Sequence, residues 1–282
     1  MAPYTLQPVA QAICTASKYT FGGGAGQGTF KETYLATKPD GTKLALKVLR
    51  PGCSSARSER EVEAMKRCSH PNIIPLLELA EIIHAGTKYG YLLETFMAGG
   101  TLDDRLRKGR LTRNEMLTLG GELISAVSHI ADHELVHRDI KPTNIMYPNA
   151  GAEAVVCDFG VVRDLRKESI TDSFLLVGPG TPFFAAPEQL NNEKALIDWR
   201  ADQFAIGVTL TVGHFGFHPY QGEGEDENQA VSHVAARKGP SDKFVRAIEA
   251  SRLPVLAKMV ALWPAERVRT AYKLLEGWRK QN

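Results

Sequence analysis

The sequence predicts an α+β protein with two lobes: a small front lobe built on an antiparallel β-sheet with one helix, and a larger back lobe that is mainly α-helical. Two observations support this prediction. Residues 19–96 contain short strand-like segments around a Pro-Asp-Gly turn, which is typical of a β-hairpin. Residues 101–282 instead carry apolar residues at helical spacing. We expect a hinge at residues 97–100 and an extension over residues 1–18, either an ordered arm or a loose tail.

The elements of the front lobe follow from local patterns. The turn at Pro39-Asp40-Gly41 joins two strand-like segments, so these segments are expected to pair as a hairpin. Val62 and Met65 lie on one face among charged residues, which indicates a helix over residues 58–68 that Pro71 ends. The predicted strands are residues 33–36, 44–49, 73–79 and 89–96.

The back lobe is predicted to consist of helices joined by loops. Its most apolar stretch, residues 204–217, is interrupted by Gly207, Gly213 and His214, so it indicates a buried helix and not a membrane span. The acidic stretch at 222–228 is expected to be a solvated loop. The predicted helices are residues 102–107, 113–133, 201–212, 244–250, 253–263 and 271–279.

Composition and charge exclude several classes of protein. The chain has 43% hydrophobic and 23% charged residues, which is typical of globular proteins and not of disordered ones. Lys and Arg number 34 against 32 Asp and Glu, without a long block of one sign, so neither a nucleic-acid nor a membrane partner is predicted. The four cysteines form no Cys-x-x-Cys pair and the amino terminus is not leader-like, so we expect reduced thiols and a cytoplasmic protein.

Residues 137–144, His-Arg-Asp-Ile-Lys-Pro-Thr-Asn, carry a pattern suited to phosphoryl transfer. This chemistry needs a carboxylate that accepts a proton from the attacking hydroxyl, and Asp139 is the candidate. It also needs oxygen ligands for a divalent cation, which Asn144 can supply. Lys141 could neutralise charge on the transferred phosphate. This run is therefore the predicted catalytic loop.

A second carboxylate follows a buried strand-like segment. Asp158 comes nineteen residues after Asp139, directly after Val-Val-Cys and before Phe-Gly, and it is the second candidate metal ligand. Either short motif alone has a bland interpretation, as a strand end with a turn or as a surface triplet. Together, in order, with Lys47 upstream and Gly180-Thr181-Pro182 and Ala186-Pro187-Glu188 downstream, they form a recognised signature set.

On these motifs the chain resembles the eukaryotic-like serine/threonine protein kinases over about residues 19–278. The resemblance implies a bilobal kinase fold. It also implies transfer of the γ-phosphoryl group of ATP to Ser or Thr hydroxyls of protein substrates, with Mg²⁺ or Mn²⁺ as the cofactor. Lys47 would then bind the α- and β-phosphates of ATP. Glu61 would pair with Lys47, with Glu59 and Glu63 as competing choices.

The resemblance assigns further roles. Asp139 would be the catalytic base, Lys141 the lysine that contacts phosphate, and Asn144 and Asp158 the metal ligands. The remaining nucleotide-binding residues implied are Gly26 and Gly28 of the glycine-rich loop, and Thr33, Ala45 and Met146 around the adenine.

Other residues would have structural or regulatory roles. Thr181 would hydrogen-bond near Asp139 and Lys141. Asp202, with Gly207, would match the family's anchor in a helix of the back lobe, and Arg267 would pair with Glu188. The implied regulatory column comprises Met65, Leu76, His137 and Phe159. Arg138, before the catalytic aspartate, implies activation by phosphorylation. The candidate acceptors are Ser169, Thr171 and Ser173, and the partner would be a regulatory protein or a transient homodimer.

The sequence departs from the family pattern at the nucleotide site. Lys31 stands at the third glycine position of the loop, and the upstream cluster Gly22-Gly23-Gly24 offers an alternative register. At the back of the pocket, where an apolar residue or threonine is usual, the sequence places either Glu94 or Leu93. A buried acid there would need a partner.

These departures favour an alternative function, a pseudokinase or nucleotide-binding scaffold of the same fold. Against it, Lys47, Asp139 and Asp158 are all present. A small-molecule kinase is a third hypothesis, which Thr181 and the Ala-Pro-Glu segment at 186–188 disfavour, because together they indicate a platform for protein substrates.

Overall fold

The computed structural model describes residues 5–28, 30–51, 63, 66–159, 163–164 and 181–281, and gives only the backbone of residues 163, 164 and 181. Five antiparallel strands form the sheet of the front half, in the order β1-β2-β3-β5-β4. These strands are β1 Thr20–Gln27, β2 Lys31–Thr37, β3 Lys43–Leu49, β4 Leu76–His84 and β5 Thr87–Thr95.

The β2–β3 hairpin is confirmed. Thr37 pairs with Lys43, and the Lys38 N–H donates to the Thr42 carbonyl oxygen at 2.9 Å. Gly41 has φ +87°, a left-handed conformation that favours glycine. The turn thus fixes a register in which Thr33 lies beside Lys47.

Helix α1, Gln7–Ala16, covers one face of the sheet. Its buried residues Val9, Ala10, Ile13 and Cys14 pack against side chains of β2, β3 and β5, including Tyr34 and Leu46. Within the amino-terminal extension, residues 7–16 are therefore an ordered arm and not a loose tail. Because successive strand residues point to opposite faces, this packing leaves Ala45 and Lys47 of β3 on the other face.

The buried carboxylate of Glu32 anchors the start of α1. It accepts hydrogen bonds from the Leu6 N–H at 2.9 Å and from both the N–H and the hydroxyl of Thr5, and it forms an ion pair with Arg50 at 2.8 Å. The Tyr34 hydroxyl also donates to it. Burial raises the pKa of Glu32, but the hydrogen bonds from Tyr34, Leu6 and Thr5 outweigh that effect and lower it to about 2. The anchor is thus ionised at neutral pH.

The back half packs around two long helices, α3 (Arg113–Asp132) and α6 (Arg200–Phe215), in a single apolar core. Two short sheets, β6 with β9 and β7 with β8, lie beside it. The helices are α2 Leu102–Leu106, α3 Arg113–Asp132, α4 Thr181–Phe184, α5 Pro187–Leu190, α6 Arg200–Phe215, α7 Glu227–Ala235, α8 Asp242–Ser251, α9 Pro254–Met259 and α10 Ala271–Arg279, and the short strands are β6 Leu135–Val136, β7 Ile145–Met146, β8 Val155–Val156 and β9 Arg163–Asp164.

The α+β class and the two-part architecture are confirmed, and several element boundaries differ from the prediction, including the start of one strand and the end of one helix. The strand predicted at 73–79 begins at Leu76, because Pro75 lacks an N–H and Ile73 instead bridges to Val156 of β8. The helix predicted over 253–263 ends at Met259, and the Tyr220 hydroxyl donates to the carbonyl oxygen of the next residue, Val260, at 2.5 Å. The lobe limits at 18, 96 and 100 stay predictions.

Most of the helix predicted at 58–68 lies outside the described residues. Within this range, the described residues 63, 66 and 67 are helical. In the acidic stretch, Glu227 and Asn228 open helix α7, with Asp226 as its N-cap. None of the described helices is both long enough and apolar enough to cross a membrane.

Candidate active site

The catalytic loop, residues 137–144, brings three predicted residues together between strands β6 and β7. The Lys141 ammonium lies 2.9 Å from the Asp139 carboxylate. The Asn144 amide nitrogen donates to the same carboxylate oxygen at 2.8 Å and to the Asp139 main-chain oxygen at 2.8 Å. Because its nitrogen is engaged, the Asn144 amide oxygen is the atom left to act as a ligand. A base, a cation and an oxygen donor thus share one small site.

The buried Asp202 of helix α6 holds this loop in place. Its two carboxylate oxygens accept the N–H groups of His137 at 2.8 Å and Arg138 at 2.7 Å. Arg138 has φ +67°, a conformation that costs of order 1–3 kcal/mol in a non-glycine residue. The Gln189 amide donates to the Arg138 carbonyl oxygen at 3.0 Å. These bonds offset the strain and fix the residue directly before Asp139.

Burial raises the pKa of Asp202, and the nearby His137 together with the two N–H donors opposes that rise. The His137 ring completes the support of the loop. It accepts the Asp139 N–H at Nδ1, so Nε2 donates to the Cys157 carbonyl oxygen at 3.1 Å. It also packs edge-on against Phe159, with ring centroids 5.0 Å apart. Two members of the predicted regulatory column, His137 and Phe159, are therefore in contact.

Asp158 is presented by the strand that precedes it. Strand β8 pairs with β7, and the Cys157 N–H donates to the Asn144 carbonyl oxygen at 2.8 Å, so the two candidate metal ligands are held side by side in the fold. Asp158 has φ +64°, a left-handed conformation, and its carboxylate is 41% exposed. The Lys31 ammonium of strand β2 lies 3.0 Å from that carboxylate. A lysine of the sheet therefore reaches a candidate metal ligand of the back half.

Strand pairing decides which residue stands behind the nucleotide site. Glu94 of β5 lies opposite Ala45 of β3, is buried, and forms an ion pair with Lys47 at 2.5 Å. Leu93 belongs instead to the apolar cluster under α1, on the other face of the sheet. The second Glu94 oxygen, Oε1, is buried without a hydrogen-bond partner among the described residues. Of the two alternatives, Glu94 is therefore the one that faces Lys47.

The β1–β2 turn favours the predicted glycine register. Gly26 pairs with Thr33, and the Gly28 N–H donates to the Lys31 carbonyl oxygen at 2.9 Å, which places both glycines at the end of the hairpin. Gly22 lies deeper in the strand, where a Cβ would approach the Leu35 side chain at 2.8 Å. Gly22 thus serves packing, and Lys31 follows the turn at the third glycine position.

The other predicted residues divide into placed and undescribed ones. Met146 lies half-buried on β7, bridged to Thr101 before α2. The predicted Glu188–Arg267 pair is confirmed, with fully buried partners at 2.6 and 2.9 Å. Residues outside the described part of the chain are Glu61, Met65, Ser169, Thr171, Ser173 and the side chain of Thr181.

Sequence reasoning missed the two lysine–carboxylate contacts, Lys31 with Asp158 and Lys47 with Glu94. Each joins a residue that departs from the family pattern to a residue that follows it. A basic residue at a glycine position and an acidic residue at an apolar position are charges that both need partners. That signal could have suggested the pairing.

Comparison with known proteins agrees with this geometry. A family model described as "Protein kinase domain" matches residues 19–278. CBL-interacting serine/threonine-protein kinase 5 of Arabidopsis thaliana is 34% identical over 73% of this chain and 46% of its own length. CBL-interacting serine/threonine-protein kinase 18 of the same plant is 30% identical over 94% of this chain and 50% of its own length. Calcium/calmodulin-dependent protein kinase type 1B of Homo sapiens is 32% identical over 72% of this chain and 58% of its own length.

The chain thus spans about half the length of these curated relatives. The family model covers nearly all of it, including every predicted site residue. The chain belongs to the protein kinase family, in its eukaryotic-like serine/threonine group.

Proposed function

We propose that this chain transfers the γ-phosphoryl group of ATP to Ser or Thr hydroxyls of protein substrates. The observation that carries the proposal is the clustering of Asp139, Lys141 and Asn144 within 2.9 Å contacts on a loop fixed by buried hydrogen bonds. Phosphoryl transfer needs positioning and charge neutralisation more than covalent chemistry, and this cluster supplies both.

Each residue has a distinct role in the proposed reaction. Asp139 orients the substrate hydroxyl and accepts its proton during in-line attack on the γ-phosphorus. Lys141, held at 2.9 Å from that carboxylate, offsets the negative charge of the phosphoryl oxygens. Lys47 contacts the α- and β-phosphates, and the main chain at Gly26 and Gly28 lies against the phosphates because no side chain intervenes. Thr33, Ala45 and Met146 contact the adenine.

Mg²⁺, or Mn²⁺, is the metal that fits the candidate ligands. The Asn144 amide oxygen and the Asp158 carboxylate are hard oxygen donors, the kind these cations prefer. When held by these two residues, the metal would neutralise charge on the phosphates of ATP. Lys31 now contacts one of these ligands, so we expect its ammonium to leave Asp158 when the metal binds.

A second candidate function is that of a nucleotide-binding scaffold without transfer activity. The Lys31–Asp158 and Lys47–Glu94 pairs favour it. In each pair, a residue that departs from the family pattern forms an ion pair with a residue that the proposed reaction needs. The two candidates predict different outcomes for one experiment, since only the first requires Asp139 to act on a substrate.

The experiment compares the wild-type chain with Asp139→Asn. Both are incubated with labelled ATP, Mg²⁺ or Mn²⁺ and a basic protein acceptor, and nucleotide binding is measured separately. We expect label on Ser and Thr of the acceptor, and a rate about 10² to 10⁴ lower in the variant, the usual contribution of a general base. Equal labelling by both proteins would contradict the assigned role of Asp139. Nucleotide binding without labelling in either metal would establish the scaffold.

Regulation is part of the proposal. Arg138 precedes the catalytic aspartate, and we propose that phosphorylation at Ser169, Thr171 or Ser173 supplies a negative charge that offsets it. A transient homodimer would allow one copy to modify another, and a regulatory protein partner is the alternative. The active chain is expected to label Asp139→Asn. Loss of that label when Ser169→Ala, Thr171→Ala or Ser173→Ala is added to Asp139→Asn would identify the acceptor.

A further inference from the structure

Outside the active site, Cys68, His129 and His133 bring one thiol and two imidazoles together. Their ligand atoms all lie within 4.8 Å of one another. The two histidines are four residues apart at the carboxyl end of helix α3, so they share one face. Cys68 lies in the segment between strands β3 and β4 of the front half. The cluster therefore joins two elements that are distant in sequence.

The hydrogen bond of His133 fixes which ring nitrogen is free. Its Nδ1 lies 2.9 Å from the His129 main-chain carbonyl oxygen. A carbonyl oxygen only accepts, so Nδ1 carries the hydrogen and the lone pair lies on Nε2. A histidine that donates from one nitrogen to a main-chain oxygen and ligates through the other is typical of metal sites.

A further observation concerns the ring of His129. Its Nε2 is buried and has no hydrogen-bond partner among the described residues. An unpaired buried polar atom is energetically unfavourable, so a ligand at this atom would stabilise the fold. Burial lowers the pKa of His129, and the neighbouring His133 lowers it further.

His70 flanks the cluster but cannot be a ligand. Its Nδ1 accepts the Asn72 N–H at 3.1 Å, so its Nε2 carries the hydrogen and donates to the Ser125 hydroxyl at 3.1 Å. Both nitrogens are thus used. The ring packs against His129 with centroids 5.4 Å apart, which orients the His129 ring.

Cys68 supplies the sulfur. Its side chain is buried, and it forms no disulfide. Burial raises the pKa of the thiol to about 11, while the adjacent Arg67 opposes that rise. The guanidinium of Arg67 also donates to the His133 carbonyl oxygen, which ties this segment to the end of α3. A metal ion would replace the thiol proton, forming a metal–sulfur bond and releasing that proton to solvent.

We propose that Cys68, His129 and His133 bind one Zn²⁺ ion. One thiolate and two imidazoles form a soft to borderline set that suits zinc and not Mg²⁺ or Ca²⁺. Tetrahedral Zn–S and Zn–N bonds place ligand atoms about 3.3–3.7 Å apart, so side-chain movements of about 1 Å would close the present spacing. Water takes the fourth position. The ion would cross-link the segment before β4 to helix α3.

The test titrates the full chain, freed of metal with a chelator, with Zn²⁺ by calorimetry and with Co²⁺ by visible absorption. We expect the wild type to bind Zn²⁺ with micromolar or tighter affinity and to release the thiol proton on binding. Cys68→Ala, His129→Gln and His133→Gln should each weaken binding at least tenfold. The Co²⁺ complex should show a thiolate charge-transfer band that Cys68→Ala removes.

Matched controls are Cys14→Ala, a buried thiol under α1, and His84→Gln, a histidine at the end of β4; both should bind like the wild type. Unfolding midpoints of the metal-free proteins check that each variant folds. If Cys68→Ala or His129→Gln does not fold, His133→Gln decides, since its side chain is only partly buried. The proposal is overturned if the wild type binds no Zn²⁺ below 100 µM, about the limit of a weak site, or if the folded variants bind as tightly as the wild type.

Discussion

The catalytic loop and the residues above it are held in different ways. In the loop, buried side chains bond main-chain atoms: Asp202 accepts two N–H groups and Gln189 donates to a carbonyl oxygen. Above it, the roof residues Lys31, Lys47 and Glu94, on strands β2, β3 and β5, make contacts through charged side-chain ends. A main-chain bond to a buried group leaves few alternatives, whereas a lysine can exchange one carboxylate for another or for phosphate.

This difference indicates which part of the site is fixed for chemistry and which part is adjustable. In the loop, Asp139, Lys141 and Asn144 are already in mutual contact. The roof residues are placed by strand pairing, but their charged ends contact groups that a nucleotide and a metal would also require. Substitutions in the loop should therefore have large effects that cannot be compensated, while roof substitutions should have smaller effects on ligand affinity.

Among residues that support the site without reacting, the largest effect is expected for Asp202→Asn, which breaks the support of the loop. The amide keeps one acceptor but turns a donor toward a main-chain N–H, so the loss is expected to be about 3 kcal/mol of unfolding free energy. A displaced Arg138 would also shift Asp139, and a shift of about 1 Å can lower kcat roughly 100-fold. Denaturant unfolding and initial phosphorylation rates measure the two quantities.

Asp103→Asn is the matched control for this prediction, because it removes a carboxylate from an exposed pair with Arg107 one helical turn away. Its effect on unfolding should stay within about 0.5 kcal/mol. If Asp202→Asn behaved like this control, the loop would not depend on the buried carboxylate and the contrast with the roof would fail.

An intermediate effect is expected for Glu94→Gln in the roof. The substitution keeps the shape and removes a negative charge 2.5 Å from the Lys47 ammonium. Two like charges about 8–15 Å apart at an effective dielectric constant of 20 repel by about 1–2 kcal/mol, so the KM for ATP should fall about fivefold to thirtyfold. Steady-state kinetics over a range of ATP concentrations would measure it.

Glu81→Gln, in an exposed pair with Lys88 on the same sheet, should leave the KM unchanged. A different result for Glu94→Gln would reverse our interpretation. If kcat fell and the KM for ATP rose, Glu94 would be positioning Lys47 for the reaction instead of competing with the phosphates.

What the sequence could predict follows the same division. Asp139, Lys141 and Asn144 lie within six residues, so their contacts follow from local chain geometry. The Glu188–Arg267 contact spans a long separation and was expected only because the chain resembles a known family. The hydrogen bonds that Asp202 accepts from the loop were not expected. The Lys31–Asp158 contact, 127 residues apart, was not expected. Pattern reasoning identifies residue types but cannot choose among several carboxylates for one lysine.

Helix α1 shows a second reason for a missed element. Val9, Ala10, Ile13 and Cys14 have helical spacing, but a ten-residue helix is marginal by itself. Its stability comes from packing on the sheet and from the Glu32 anchor, neither of which is visible in residues 1–18 alone. The Cys68–His129–His133 cluster is similar, since the sequence contains the two histidines at helical spacing but not the approach of the thiol.

The smallest effect is expected for Lys31→Gly, which restores a glycine at the third position of the loop. The Lys31–Asp158 pair is partly exposed, and such pairs contribute about 0–1 kcal/mol, so freeing Asp158 should lower the KM for Mg²⁺ only about two- to threefold at saturating ATP. Lys31→Met separates the loss of charge from the gain of backbone freedom, and Lys31→Arg keeps the charge. If Gly and Met both raised the KM for ATP while Arg did not, Lys31 would be a phosphate ligand. The roof would then take part in the reaction as directly as the loop below it.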